Sequence, residues 1–232
     1  MHKIDFNIIN KLVGNSLNNL FKSDKELINI ENIALDDINK HAAERSIVFR
    51  FGIYLNEELK KYPDHFTDTN LDVEYNRYNY DIKKVDEKSI FPDLIIHSRH
   101  NQDKNILVVE FKTWWNNNTY DDEKKLKAFT RNSGKFRYDY GLSLIIDKDI
   151  KKTKESFKWF FNYTLHNAMK IILQEHTDKP MHADELANEI YKRNLYFKED
   201  GTKAEYNQIR ARCNNYSDMF EALSGNHIKL KE

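Results

Sequence analysis

Two short runs constrain the fold most: Pro92-Asp93-Leu94-Ile95-Ile96-His97 and Ile106-Leu107-Val108-Val109-Glu110-Phe111-Lys112. Each is almost continuously apolar and too short for an ordinary helix, the pattern of strands buried on both faces in an α/β sheet. The polar stretch Ser98–Lys104 between them predicts a turn. Folding the chain back midway through that turn as an antiparallel hairpin sets position 93 opposite position 110. Directly opposed residues share a face with Cβ atoms about 4.5–5.5 Å apart, and Lys112, two residues beyond Glu110, points the same way. Two carboxyls and an ammonium are thereby expected within a few ångströms, on strands otherwise built for burial.

Like charges brought together away from water raise at least one carboxyl pKa unless a cation neutralises them. A hard divalent ion with oxygen ligands does so, and Mg2+ is the expected one, with Mn2+ an acceptable substitute. Such an ion polarises a phosphoryl oxygen, activates bound water and stabilises a leaving oxygen. Lys112 is suited to orient or deprotonate that water, or to offset transition-state charge. The competing reading is a structural salt bridge at the sheet edge.

The surrounding periodicities supply the other elements. Apolar positions at helical spacing predict a helix over residues 5–22, and Ser23 with Glu26 reads as a capping box for a second short helix. An uninterrupted pattern from Ala34 to Lys61 predicts a long helix that stops before Tyr62-Pro63-Asp64. Leu71–Tyr78, Phe91–His97 and Asn105–Lys112 read as three consecutive strands, Asp121–Arg131 as a helix and Tyr140–Ile146 as a fourth strand. The resulting order is α-β-β-β-α-β. From Asp149 a long helical pattern is expected to bridge into a second domain, with the boundary between 150 and 166. The expected division is a domain over 1–155, including a helical N-terminal extension, and another over 165–232.

Pro92-Asp93 followed by Glu110-Phe111-Lys112, in that order of elements, resembles the PD-(D/E)xK superfamily of restriction-endonuclease-like nucleases. The resemblance implies an α/β core with helices on both faces of a mixed sheet, and Mg2+-dependent hydrolysis of DNA phosphodiester bonds. It implies metal binding by Asp93, Glu110 and the backbone carbonyl of Phe111, with Lys112 acting in hydrolysis. Many members also carry a Glu on the first core helix. Glu44 is the match, and its neighbours Val48, Phe51 and Leu55 share its helix face. The alternative for Glu44 is an acid paired with Arg45 or Arg50.

In the last quarter of the chain, helices are expected over 168 onward, His182–Asn194 and Thr202–Cys213, the third with a capping box from Thr202 and Glu205. Strands Met219–Leu223 and His227–Leu230 flank Ser224-Gly225-Asn226. Three helices and a wing suggest a winged helix-turn-helix domain, and Lys179–Ala187 resembles the start of helix two in HARE-HTH domains. That resemblance implies that Lys203, Tyr206, Asn207, Arg210 and Arg212 contact duplex DNA. Docking to a protein is the competing reading.

Several side chains keep two readings. Trp114 and Trp115 suit either stacking on nucleic acid or the core. Lys124, Lys125, Lys127, Arg131, Lys135 and Arg137 suit either phosphate contacts or a solvated face, and His97 suits either the site or strand packing.

Composition narrows the partners. Among 232 residues, Lys+Arg and Asp+Glu both number 37, so any attraction to nucleic acid must come from a local patch. The single cysteine, Cys213, allows no internal disulfide or thiolate cluster, as expected for a cytoplasmic protein. No run is long enough to span a membrane. Cleavage of both strands by a one-site enzyme would further suggest a homodimer, while a nuclease for RNA or branched DNA and a non-catalytic DNA-binding protein on the same scaffold remain alternatives.

Overall fold

In a computed structural model, residues 3–28, 42–78, 81–85, 87–99, 103–176 and 179–231 are described. Helix α1 (Phe6–Ser23) starts at Asp5, whose carboxylate accepts the Asn7 N–H at 2.7 Å, and buries Ile9, Leu12, Val13, Leu17 and Leu20. Their spacing gives one apolar stripe, as the sequence predicts. The expected capping box at Ser23 and Glu26 does not form. Lys25–Leu27 is a 3-10 turn, with Asp24 at its start making no side-chain cap and turning instead to Arg50.

Helix α2 (Glu44–Leu59) is shorter than the expected 34–61. Positions 34–41 lie outside the described residues, and Ala43 has an extended backbone, so the helix begins at Glu44 itself. Val48, Phe51 and Leu55 are buried. Gly52 allows α2 to approach the sheet: a Cβ there would meet side-chain carbons of Leu71 and Leu94 at 3.4 Å each.

The short helix α3 (Pro63–Phe66) leads to strand β1 (Asn70–Val73). The expected single strand 71–78 is broken at Glu74, which adopts a left-handed φ of 51°. Two small antiparallel ribbons follow, β2 (Arg77–Tyr78) with β3 (Asp81–Ile82), and β4 (Lys84–Val85) with β5 (Lys88–Ser89). Then come β6 (Leu94–His97), β7 (Asn105–Thr113), α4 (Tyr120–Thr130) and β8 (Tyr140–Ile146). The larger elements thus run α2-β1-β6-β7-α4-β8. The sheet is mixed: β6 pairs antiparallel with both β1 and β7, and β8 lies on the other side of β7 after the α4 crossover.

The long helix expected from Asp149 is two helices separated by a strand: α5 (Ile150–Glu155), β9 (Lys158–Phe161) and α6 (Leu165–Gln174). Ser156 ends α5 by donating its hydroxyl to the Thr153 carbonyl at 2.7 Å. The Lys-Trp-Phe-Phe run after it suits an extended strand as well as a helix face.

Two compact units result, one of residues 1–126 with 141–158, the other of residues 127–140 with 159–232. The second unit contains α6, β10 (Met181–His182), α7 (Ala183–Lys192), α8 (Tyr206–Asn215), β11 (Phe220–Ala222) and β12 (His227–Leu230). Its strands form an antiparallel sheet in the order β10-β12-β11. Leu165, Met169, Ile172, Leu186, Ile190, Ile209, Phe220 and Ile228 are among the residues of its core. Helix α8 starts four residues later than expected. Its capping box is formed by Glu205 with Gln208, while Thr202 bonds to Asp200. Among the described residues no helix is long and apolar enough to cross a membrane.

Candidate active site

The β6–β7 register is the one the mirror argument predicts: Leu94 pairs with Val109, Ile95 with Val108 and Ile96 with Leu107. Continuing that ladder by one step sets Asp93 against Glu110. A register shift between Ile96 and His97 absorbs the extra residue near the turn, away from the acids. Asp93 itself lies just before β6. Its carbonyl accepts the Glu74 N–H at 3.2 Å, and its Oδ2 accepts the Phe111 N–H at 2.7 Å. The Asp93 side chain therefore takes the place of the strand that stops there.

Phe111 turns its ring to α2, meeting Phe51 edge-on with centroids 5.1 Å apart. Glu110 and Lys112 project from the opposite face, toward α4, because side chains alternate along a strand. Glu110 is 1% exposed. Its Oε2 accepts from Lys125 Nζ at 3.0 Å, while Oε1 is buried without a hydrogen-bond partner. Lys112 Nζ lies 2.9 Å from Asp122 Oδ2 and 3.7 Å from Glu44 Oε1. Glu44 Oε2 is also buried and unpartnered. Lys125 closes the network with Asp122 Oδ1 at 2.8 Å.

Four acids therefore surround two lysines: Glu44 from α2, Asp93 before β6, Glu110 and Lys112 from β7, and Asp122 and Lys125 from α4. Burial pushes the Glu110 carboxyl well above its ordinary value, Asp93 adds to this, and Lys125 opposes it. Burial likewise raises Asp93 and Glu44 against the pull of Lys112, with the Phe111 N–H also holding Asp93 down. For Lys112, burial favours the neutral amine, but Asp122, Glu44 and Asp93 outweigh it and raise the ammonium. Lys125 is raised further by Glu110 and Asp122, again against burial.

Asp122 and Lys125 are the residues of this network that the sequence reading did not assign to it. A signal existed: Asp122, Leu126 and Phe129 follow helical spacing, so Asp122 lies on the apolar stripe of α4, as Glu44 does on α2. The acid-rich first turn of α4 equally suits the helix dipole, which masks that signal. The alternative partners for Glu44 are engaged elsewhere, Arg45 with Glu74 at 2.6 Å and Arg50 with Asp24 at 2.9 Å. A cavity of about 210 Å3, lined by Glu44, Arg45, Val48, Val73, Glu74 and Asp93, opens beside two of the acids.

The residues with two readings also resolve. His97 is 4% exposed, bonds Asp72 Oδ2 at 2.9 Å and packs on Tyr75, so it belongs to strand packing. Trp114 donates its indole N–H to the Ile28 carbonyl at 3.2 Å and is covered by Lys148. Lys127 lies over the Tyr191 and Phe197 rings, and Arg131 donates to the Glu199 carbonyl, so these two are engaged elsewhere while Lys125 joins this network.

In the second unit, α8 buries only Ile209 and Cys213 and exposes Tyr206, Asn207, Arg210 and Arg212. Lys203, just before it, bonds Asn188 at 2.6 Å, and Arg210 bonds Asn226 between β11 and β12. Four of the five candidate DNA contacts thus lie on one helix and the fifth precedes it. Compared with family models, curated proteins and solved structures, the chain matches none of them.

Proposed function

We propose that the chain is a metal-dependent nuclease that hydrolyses DNA phosphodiester bonds. The observation that carries this reading is Glu110: a carboxyl 1% exposed, in register with Asp93, with one oxygen lacking any partner and Lys112 next on its face. Structural salt bridges satisfy both partners, because an unpaired buried polar atom costs about 1–3 kcal/mol or more when charged. An orphaned carboxylate oxygen in an acid-rich site suits a ligand.

The donors fit a hard divalent ion such as Mg2+ or Mn2+, since all are oxygens. Asp93 and Glu110 would hold it, with the Phe111 carbonyl and Glu44 as further donors. Among the described residues no three His, Cys, Asp or Glu side chains already converge as a ligand shell, and the positive charge in place is that of Lys112 and Lys125. When bound, the ion would supply Lewis-acid polarisation of a phosphoryl oxygen and an activated water. Lys112, raised by its acidic neighbours and held by Asp122, offers an ammonium that neutralises charge developing on the phosphoryl oxygens. The cavity beside Glu44 and Asp93 gives the phosphodiester an approach.

The second unit supports a DNA substrate. Three helices, an antiparallel sheet and an exposed α8 that carries two arginines and no acid fit a winged helix of the HARE-HTH kind placing α8 against duplex DNA. A reducing cytoplasm and a homodimer for double-strand cleavage belong to the same proposal.

Incubating supercoiled plasmid with the full chain, with Mg2+ or with chelator, tests this directly. Nicking or linearisation is expected with metal alone, lost in Asp93→Asn and Glu110→Gln. Lys112→Ala is expected to cost about 10²–10⁴ in rate while leaving the melting temperature nearly unchanged. Absence of any metal-dependent cleavage of plasmid, RNA or branched DNA, together with a lowered melting temperature in Lys112→Ala, would establish the salt-bridge reading instead.

A further inference from the structure

Lys125 sits where a metal ion would compete with it. Its ammonium is 3.0 Å from Glu110 Oε2 and 2.8 Å from Asp122 Oδ1, so it already neutralises the most buried acid of the site. The other oxygen of that same carboxyl, Oε1, is buried and partnerless. An ammonium on one oxygen of a carboxylate and a divalent cation on the other repel each other, most of all where water is excluded. A cation arriving at Glu110 therefore has to weaken or displace the lysine.

Resting on the nuclease reading above, we propose that Lys125 is an exchangeable counter-cation: it occupies Glu110 in the metal-free protein and yields that carboxyl when a divalent ion binds. Asp122 makes the exchange reversible without unfolding. It lies three residues before Lys125 on α4 and bonds it through Oδ1, so the displaced ammonium keeps an anionic partner. Asp122 Oδ2 meanwhile holds Lys112 at 2.9 Å, on the other side of the same carboxylate. The two lysines thus differ in kind. Lys112 leans on Asp122 and Glu44, and Lys125 is the one bound to Glu110.

Competition of this kind lowers apparent affinity by the fraction of molecules in which the carboxyl is free. Titrating Mn2+ into the full-length apo protein by calorimetry, at one fixed pH, measures it without reference to activity. Lys125→Met is expected to bind Mn2+ about tenfold more tightly than wild type, whereas Lys112→Met, which removes an equal charge but leaves Glu110 occupied, is expected to gain about threefold or less. Lys125→Arg, which keeps a cation on Glu110 and serves if Lys125→Met does not fold, is expected to bind no more tightly than wild type. Equal gains in the two methionine variants would mean general electrostatics and overturn the exchange, as would wild-type affinity in Lys125→Met or tighter binding in Lys125→Arg. If neither wild type nor Lys125→Met binds Mn2+, the metal-dependent reading falls together with it. Binding by wild type with no gain in Lys125→Met removes the exchange alone.

Discussion

At the scale of single residues, the first unit also holds a buried lysine outside the candidate site. Lys83 is 2% exposed, donates to the Tyr75 carbonyl at 3.0 Å and lies over the Tyr75 ring. Burial pushes its ammonium down to about 8 from an ordinary 10.5, with Asp72 offsetting only part of the cost. The unfolded chain therefore binds more protons between these two values, and stability rises with pH across that window. Below pH 8 the full penalty of the buried charge is present, on the order of 3 kcal/mol for a shift of this size. Wild type should accordingly gain stability relative to Lys83→Met as pH rises from 8 to 10.5, measured by denaturant unfolding of both proteins. A difference that stays constant across that range would mean that Lys83 keeps an ordinary pKa. At Lys83 burial outweighs the pull of Asp72, whereas at the site lysines carboxylates in direct contact outweigh burial, which explains why one falls and the others rise.

Among the helices of ten residues or more, α8 is the least committed to a core. Ile209 and Cys213, one turn apart, are the positions it buries, and the rest of its surface faces outward with two arginines and four amide side chains. Such a helix gains little from packing, so its composition answers to something other than stability. For the proposed duplex contact, Arg210→Ala in the full chain should weaken binding to unrelated DNA sequences by similar factors. It should also reduce the slope of log affinity against log salt by about one, the signature of a lost phosphate contact. Unchanged affinity and slope would point to a protein partner for α8. The helices of the site behave differently: α4 buries Asp122 on its apolar stripe, and α2 buries Glu58 and half-buries Glu44. The strand β7 is similar, with Glu110 set into the otherwise apolar stretch 106–111. Burying carboxyls in elements that would be more stable without them is a recurrent choice in this unit.

The whole chain divides into units that are not continuous in sequence, since 127–140 belongs with 159–232. Within that second unit the Phe161 N–H donates to the Asn194 carbonyl at 2.9 Å, Asn194 donates its side-chain amide to the Trp159 carbonyl at 3.0 Å, and the Asn162 N–H reaches the Asp139 carbonyl at 3.1 Å. Asn194 is 7% exposed and has a left-handed φ of 54°, so the first two of these bonds support a conformation that is otherwise unfavourable. A fragment beginning at residue 165 lacks all three, whereas one beginning at 159 keeps the two that involve Asn194. It should melt at a lower temperature than a fragment beginning at 159, by several degrees for a domain of this size, as followed by circular dichroism. Equal melting temperatures would show that the linking segment contributes nothing to the C-terminal fold.

What the sequence determines by itself is whatever depends on local periodicity. The near-continuous apolar runs of β6, β7 and β8, the amphipathic stripes of α1 and α2, and the mirror placement of Asp93 and Glu110 about one turn all follow from residues near one another in the chain. Lys112 joins them because alternation along a strand is strict. The tertiary structure decides which helix covers which face, and that choice depends on packing between residues far apart in sequence. It brought Asp122 and Lys125 onto Glu110 and Lys112, where helical spacing alone showed only that Asp122 shared a face with Leu126. It also decided between strand and helix for Lys158–Phe161, whose apolar residues satisfy both periods. Glu74 is a third case: a left-handed residue ends β1 where β-propensity would have carried it on, and its N–H anchors the backbone of Asp93. The acids of the site are thus legible one strand at a time, and the lysine that neutralises the most buried of them becomes visible only once α4 is packed against β7.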